Sequence, residues 1–340
     1  MISTILSIVF SAVSIFSSLA APPDVVELDD ISEAEPYLTL AILTASQPPE
    51  FRLDPMPEEA WIDMLNVFSS ITSEHPELKY AYDLSVELSD GALQCEFSYM
   101  PYRTGDWPEG FSGVEAGSLA ELIEAARSGL ASGEPLPVRI TNAALTVDDL
   151  NKALQQVGGG YILCQLSRDG TEIVYTPQNN LSHSDALAKL SEIDALAEGV
   201  FSANVTDGMT QREAAEVLYT CLTETVRYDH RYYSDRASMP FDSQTAYGAL
   251  HDGLAICGGY AQALQALFEK AGIPCYTVSG SMGSEYHMWN IAYLDGEWCY
   301  FDATSDRGRA DYWFNYFAVG SDQLTNYEWD SGFVSRLTGE

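Results

Sequence analysis

The sequence is poor in basic residues. Its 340 residues include 16 lysines and arginines against 50 aspartates and glutamates, a net charge of −34. Residues 1–200 hold 31 acidic and 8 basic residues, and residues 201–340 hold 19 and 8. Because there is no basic run, a nucleic-acid backbone would be repelled, and we expect no nucleic-acid partner. The charge is typical of a surface kept soluble by self-repulsion.

Cysteine is scarce, and patterns that bind metals are missing. Six cysteines in a chain of this length do not make a disulfide-dense scaffold, and free buried thiols are the simpler interpretation for most of them. The sequence contains no HExxH pair and no D-x-[DN]-x-[DN]-G loop. We therefore expect neither a metal nor another cofactor.

Long apolar runs are absent except at the N-terminus. Residues 2–23 carry no charge, and Ser18 and Ala20 fit positions −3 and −1 of a small-residue cleavage site. We predict a signal peptide over residues 1–21, a secreted or cell-surface protein, and no stable membrane span after cleavage. An uncleaved N-terminal anchor is the alternative, because about 20 apolar residues can cross a bilayer.

The rest of the chain predicts an α+β protein in three blocks. Residues 22–36 are rich in acid and are interpreted as a solvated linker. An N-terminal α+β region follows over 37–184, with two possible helix-plus-hairpin modules at 37–105 and 118–184. Residues 185–340 form the third block, which holds the residues suited to catalysis.

The two modules are predicted from similar patterns. In the first, Trp61, Met64, Leu65 and Phe68 recur at helical spacing, and a hairpin turns at Ser89-Asp90-Gly91. In the second, helical patterns precede a hairpin that turns at Arg168-Asp169-Gly170. Side chains match poorly between the modules, so the two modules share the order of helix and hairpin but not a repeated sequence.

A helix is predicted to begin at or just after Cys257. Apolar residues after it fall on one helical face, and Gly272 followed by Pro274 marks the helix end. Unpaired N–H groups and the helix dipole at a helix start favour a thiolate. Gly258 and Gly259 leave the sulfur open to approach, and backbone N–H groups nearby suit an oxyanion.

The segment 285–304 predicts a β-hairpin. Residues 285–294 show the alternation of a strand, Asp295-Gly296 is a type I′ turn signal, and residues 297–304 form the returning strand. With a two-residue turn, His287 and Asp302 become diagonal neighbours on one face, about 7–8 Å apart at the backbone. A three-residue turn would move Asp302 to the other face.

These segments together resemble the transglutaminase-like superfamily of papain-like fold. The resemblance covers about residues 205–306 and is that of a secreted bacterial-type member. Five short motifs carry it, in order: Tyr228-Asp229, Ala255-Ile256-Cys257-Gly258-Gly259-Tyr260-Ala261, Gly272-Ile273-Pro274, His287-Met288-Trp289-Asn290 and Asp302-Ala303-Thr304.

The resemblance implies a papain-like core with a Cys-bearing helix on an antiparallel sheet. It implies Cys257 as nucleophile, His287 as base and Asp302 as the residue that orients the base. Gln244 and Tyr228 are candidates for the side-chain oxyanion donor. The approach of Cys257 to the other two residues rests on the resemblance alone.

The expected chemistry is acyl transfer, most simply amide or peptide hydrolysis on a protein or peptide substrate, in the cell wall or elsewhere outside the cell. Two alternatives stay open. One is a protein-crosslinking transglutaminase, and the other is a cell-surface binding or scaffold protein with a vestigial triad. Trp289 and Trp298 are expected to pack in the core rather than line a substrate cleft.

Overall fold

The computed structural model describes residues 23–309 and 314–340, so the predicted signal peptide lies outside the described residues. The fold is α+β, as predicted. No helix in the described part of the chain is long and apolar enough to cross a membrane. The helices, in chain order, are α1 (Glu35–Thr44), α2 (Ala60–Glu74), α3 (Pro101–Thr104), α4 (Leu119–Gly129), α5 (Val147–Leu154), α6 (His183–Asn204), α7 (Gln211–Thr225), α8 (Arg231–Ser234), α9 (Ala246–Leu250), α10 (Cys257–Lys270) and α11 (Ser331–Thr338).

The strands of the described residues are short and form several sheets. In chain order they are β1 (Val25–Glu27), β2 (Glu50–Arg52), β3 (Ala81–Ser89), β4 (Ala92–Tyr99), β5 (Val114–Ala116), β6 (Leu136–Ile140), β7 (Ile162–Leu166), β8 (Glu172–Pro177), β9 (Arg227–Tyr228), β10 (Leu254–Ala255), β11 (Cys275–Met282), β12 (Glu285–Leu294), β13 (Glu297–Phe301) and β14 (Tyr327–Trp329). The sheet orders are β1-β2-β4-β3, β5-β6-β8-β7, β10-β9 and β13-β12-β11-β14.

The chain divides into two compact units that are discontinuous in sequence. Among the described residues, the first comprises 23–117, Pro137–Asn151 and Leu166–Ile173, and the second comprises Ser118–Leu136, Lys152–Gln165, 174–309 and 314–340.

The first unit contains the predicted β3–β4 hairpin on helix α2. Asp90 and Gly91 form its turn with φ of 51° and 74°, a backbone conformation that suits the tight right-handed twist of a two-residue turn. In α2, Met64 is fully buried, whereas Trp61 is 50% exposed. The apolar stripe predicted for this helix is therefore narrower than the sequence indicated.

The segment predicted to be a solvated linker is folded wherever the structure describes it. Strand β1 pairs in parallel with β2, and a 3-10 helix at Ile31–Ala34 follows. Val26, Leu28 and Ile31 are buried. The prediction was wrong because it was based on the acidic composition of the segment. The apolar residues between the acidic ones point inward at alternate positions, as in a strand with one buried face.

The second unit is built around helix α10 and the sheet β13-β12-β11-β14. Asn290 on β12 donates from Nδ2 to the Ala261 carbonyl of α10 at 2.9 Å. Gln265 on α10 donates to the Cys275 carbonyl at 3.1 Å. These two amide side chains tie the helix to the sheet, beside a face of α10 that includes buried Leu264 and Phe268.

One edge of strand β11 is covered by a side chain. β14 pairs with β11 only over Gly280–Met282. Beyond that point, the Thr277 N–H donates to Gln156 Oε1 at 2.8 Å, and Gln156 Nε2 donates to the Thr277 carbonyl at 3.1 Å. The Gln156 amide thus makes both hydrogen bonds that a neighbouring strand would make.

Candidate active site

Cys257 is the first residue of α10, as predicted, and its side chain is buried. The chain enters the helix from strand β10, and Ile256 forms the N-cap without a side-chain cap. Gly259 is required here for space, because a Cβ at this position would lie 2.8 Å from the carbonyl oxygens of Ser243 and Thr245. The glycine therefore lets the helix start lie against the preceding loop.

The hairpin has the predicted register. Leu294 pairs with Glu297 and Asn290 with Phe301, and the turn residues Asp295 and Gly296 have φ of 56° and 93°. Strand β13 ends at Phe301, so Asp302 follows the last paired residue and its N–H bonds instead to the Tyr316 carbonyl. The two-residue turn brings His287 and Asp302 to the same side of the sheet.

The Asp302 carboxylate is buried and receives several hydrogen bonds. Its Oδ2 lies 2.8 Å from His287 Nε2 and accepts from the hydroxyls of Ser305 and Tyr327, each at 2.6 Å. The Ser305 N–H donates to Oδ1 at 3.0 Å. Burial alone would raise the pKa of Asp302, but the bonds from His287, Ser305 and Tyr327 hold it below its usual range. The carboxylate is therefore kept ionised while it is shielded from solvent.

His287 lies between Asp302 and Cys257. Burial would lower the pKa of His287, but the hydrogen bond with Asp302 and the interaction with the Cys257 side chain outweigh burial and raise it to about 9. Since Nε2 faces Asp302, Nδ1 is the ring nitrogen left to interact with the sulfur. The imidazole ring also stacks on Trp289, with 5.9 Å between ring centroids. The structure thus brings together all three residues of the predicted triad.

Tyr228 lies near Cys257 because of a short parallel ladder. Strand β9 pairs with β10, which places Tyr228 opposite Ala255, two residues before Cys257. Burial, a hydrogen bond with Tyr233 and the charge of Cys257 all raise the pKa of Tyr228. Tyr233 in turn donates to Glu285 at 2.8 Å. The Tyr228 ring also stacks on the Tyr233 ring, with 5.9 Å between centroids.

Gln244 lines the same cavity as Cys257 and Gly258. It ends a 3-10 helix at Phe241–Gln244, and its backbone carbonyl approaches Gly258 so closely that a Cβ there would lie 3.1 Å from it. The neighbouring Asp229, from the Tyr228-Asp229 motif, is buried and accepts from Arg231 and Ser243. Hydrogen bonds from Arg231 and Ser243 outweigh burial and lower the pKa of Asp229 to about 2. Asp229 therefore holds the loop that carries Gln244.

Sequence reasoning did not find Ser305 or Tyr327. Ser305 lies three residues after Asp302, and its hydroxyl had no periodic or motif signal. Tyr327 belongs to the three-residue strand β14, which was not predicted, and it reaches Asp302 only because β14 pairs with the end of β11. The only signal for further donors was the carboxylate predicted beside a histidine, because a carboxylate that becomes buried needs hydrogen-bond donors.

All six cysteines are among the described residues, and all are free thiols. Cys257 is the cysteine that lies beside the His287 imidazole. Burial raises the pKa of Cys95, Cys164 and Cys275 above the ordinary range for a thiol. Within residues 23–309 and 314–340, no three His, Cys, Asp or Glu side chains are grouped to hold a metal ion.

Comparison with known families confirms the resemblance. Residues 197–303 match the family model of the transglutaminase-like superfamily. This segment is similar to a transglutaminase-like core. It contains Cys257, His287 and Asp302, and it begins before Tyr228. Members of this superfamily are typically cysteine enzymes, and the match covers about a third of the chain.

Solved structures show weaker likenesses. A crystal structure of a TGase is 15% identical, with a TM-score of 0.31, and the alignment covers 64% of this chain and 63% of that one. A proposed cysteine protease of Cytophaga hutchinsonii is 21% identical, with a TM-score of 0.26, over 38% of this chain and 45% of that one. The chain thus spans less than two thirds of each. A search of curated proteins gave no match.

Proposed function

We propose that this chain is a cysteine enzyme that transfers acyl groups through Cys257, His287 and Asp302, with amide or peptide hydrolysis as its reaction. The observation that carries the proposal is the position of His287, whose Nε2 lies 2.8 Å from the buried Asp302 carboxylate and whose pKa is raised by interaction with both Asp302 and the Cys257 side chain. A purely structural histidine would not need both partners.

In the proposed reaction, the Cys257 sulfur attacks the carbonyl carbon of an amide. The C–N bond breaks, a thioester forms on the sulfur, and the His287 imidazolium gives its proton to the leaving amine. Water then attacks the thioester carbon while His287 accepts a proton, which releases a carboxylic acid and restores the thiol. Asp302 holds the imidazole in one orientation and stabilises its charged form throughout.

Gln244 is the better candidate for the side-chain oxyanion donor. Gln244 lines the cavity that contains the sulfur, whereas Tyr228 is not among the described residues that line it. The backbone N–H groups at the start of α10 are further donors, since the first turn of a helix leaves them without intrahelical partners.

The substrate we propose is a protein or peptide outside the cell, including the cell wall. Export is supported by the uncharged stretch over residues 2–23 with its small-residue cleavage site. Sequencing the N-terminus of the mature protein tests this part. A chain that keeps residues 1–21 would contradict cleavage.

Thiol alkylation tests the catalytic pair without knowledge of the substrate. Because the pKa of His287 is raised to about 9, its positive charge beside Cys257 persists through neutral pH and is lost as the pH rises through about 9. Iodoacetamide should therefore modify Cys257 well below pH 8, and at least about tenfold faster at pH 7 than in a His287→Ala variant. Mass spectrometry identifies the modified residue, and equal rates in the two proteins would refute the enzyme proposal.

A second assay separates hydrolysis from crosslinking. A fluorescent primary amine is offered together with a glutamine-containing protein, and both amine incorporation and release of hydrolysis products are followed. We expect hydrolysis without incorporation, since water needs no second binding site on the enzyme. Incorporation that disappears when the Cys257 thiol is blocked would instead favour a crosslinking transglutaminase.

A further inference from the structure

The cavity that contains Cys257 has one charged side chain in its lining. The cavity has a volume of about 280 Å³, and Arg236 is the charged residue at its wall. The remaining lining side chains near Arg236 are aromatic or neutral, among them Tyr232, Phe241 and Tyr286. The protein has a net charge of −34, but the only charged residue in the lining of this cavity is a cation. The cavity therefore differs in the sign of its charge from the acidic protein as a whole.

Arg236 makes no ion pair in the described part of the chain, whereas the neighbouring Arg231 does. Arg231 makes two hydrogen bonds to Asp229, each at 2.8 Å. Asp242 lies 3.7 Å from the Lys189 ammonium and accepts from the Tyr161 hydroxyl at 2.6 Å. Glu285 accepts a hydrogen bond from Tyr233. Asp229, Asp242 and Glu285 therefore already have partners of their own.

The Arg236 guanidinium is positioned by an aromatic ring instead of a carboxylate. Its central carbon lies 4.8 Å from the centroid of the Tyr232 ring. Stacking of this kind orients the planar guanidinium and leaves its N–H groups at the edge available to a carboxylate. A guanidinium binds a carboxylate with two parallel hydrogen bonds, and such charge-assisted bonds are stronger than neutral ones.

Gln262 also lines this cavity and offers a hydrogen-bond acceptor, whereas Arg236 offers donors. Its Oε1 is buried, and no donor among the described residues reaches it. A buried acceptor of this kind is suited to a peptide N–H brought in by a ligand. The cavity thus offers one acceptor for an amide and one cation for an anion.

We infer that Arg236 binds a carboxylate of the substrate, and that the enzyme prefers amides in which an acidic side chain or a chain-terminal carboxylate lies within a few atoms of the reacting carbonyl. This inference rests on the proposed function, because it assigns a specificity residue to the same cavity. It names the substrate class as acidic peptides or amino-acid amides.

The test uses a matched pair of thiol reagents on the full chain. Bromoacetyl-glutamate amide and bromoacetyl-glutamine amide have nearly the same size and differ in one negative charge. The rate of Cys257 modification by each is measured at about 0.15 M salt, where the Debye length of about 8 Å limits long-range repulsion. The ratio of the acidic to the neutral rate is compared among variants.

We expect this ratio to be roughly tenfold higher in the native protein than in Arg236→Gln, as for the loss of a charge-assisted hydrogen bond. Arg236→Glu should lower the ratio further. Arg212→Gln is the matched control, because it removes the same charge from a residue paired with Asp295 at the hairpin turn and should keep the native ratio.

An unchanged ratio in Arg236→Gln would overturn the inference, as would an equal fall in Arg236→Gln and Arg212→Gln. Either result leaves the proposed function standing. Failure of the proposed function has a different signature, because the neutral reagent would then modify Cys257 equally fast in the native protein and in His287→Ala.

Discussion

Replacing Cys257 with alanine should lower amide hydrolysis by about 10⁵-fold or more, because removal of a nucleophile leaves only binding and oxyanion contacts. The fold should survive, since the change removes one sulfur atom at a helix start and costs at most about 1–2 kcal/mol. Initial rates on an amide substrate and thermal unfolding by circular dichroism measure the two effects separately.

Cys221→Ala is the matched control, because Cys221 is a free thiol of the same unit that is only half-buried and lies on α7. It should keep nearly native activity. A Cys257→Ala protein that retains activity within tenfold of the native level would mean that another group performs the attack. A folded but inactive Cys221→Ala protein would also contradict the assignment of the nucleophile.

Replacing Trp289 with alanine should destabilise the protein by about 3–5 kcal/mol, which is the range for deleting a large buried aromatic side chain. Trp289 is 1% exposed. It packs edge-to-face on Tyr327 and Trp329, with ring centroids 5.1 and 5.8 Å away. Urea unfolding followed by circular dichroism measures the loss.

Trp298→Ala is the comparison for this second prediction. Trp298 is partly exposed and contacts Tyr276 and Tyr293 on the same sheet, so its loss should cost only about 1 kcal/mol. Equal losses for the two tryptophans would show that Trp289 is not the core residue its burial indicates. The Trp289 variant should also react more slowly at Cys257, since Tyr327 contacts both Trp289 and Asp302.

The hairpin and the helix start were predictable because their signals are local. The alternation around Asp295-Gly296 determines which residues share a face, and that parity was enough to pair His287 with Asp302. Cys257 could be placed at a helix start from the glycines and apolar spacing that follow it. The turn at Asp90-Gly91 was predicted for the same reason.

The remaining features depend on contacts between distant segments. Tyr327 reaches Asp302 because a three-residue strand pairs with β11, and so short a strand has too few residues to show a period. Tyr228 lies opposite Ala255 through a two-residue parallel ladder. The packing of α10 on the sheet by Asn290 also joins segments that periodicity cannot relate.

The hydrogen bonds between the Gln156 amide and strand β11 have a consequence for how the protein behaves at high concentration. An unpaired strand edge offers peptide groups to other chains and can begin aggregation. At Thr277 both peptide groups are occupied by a side chain of the same molecule. One glutamine thus protects the sheet next to the candidate active site against edge-to-edge association, without a further strand being added to cover it.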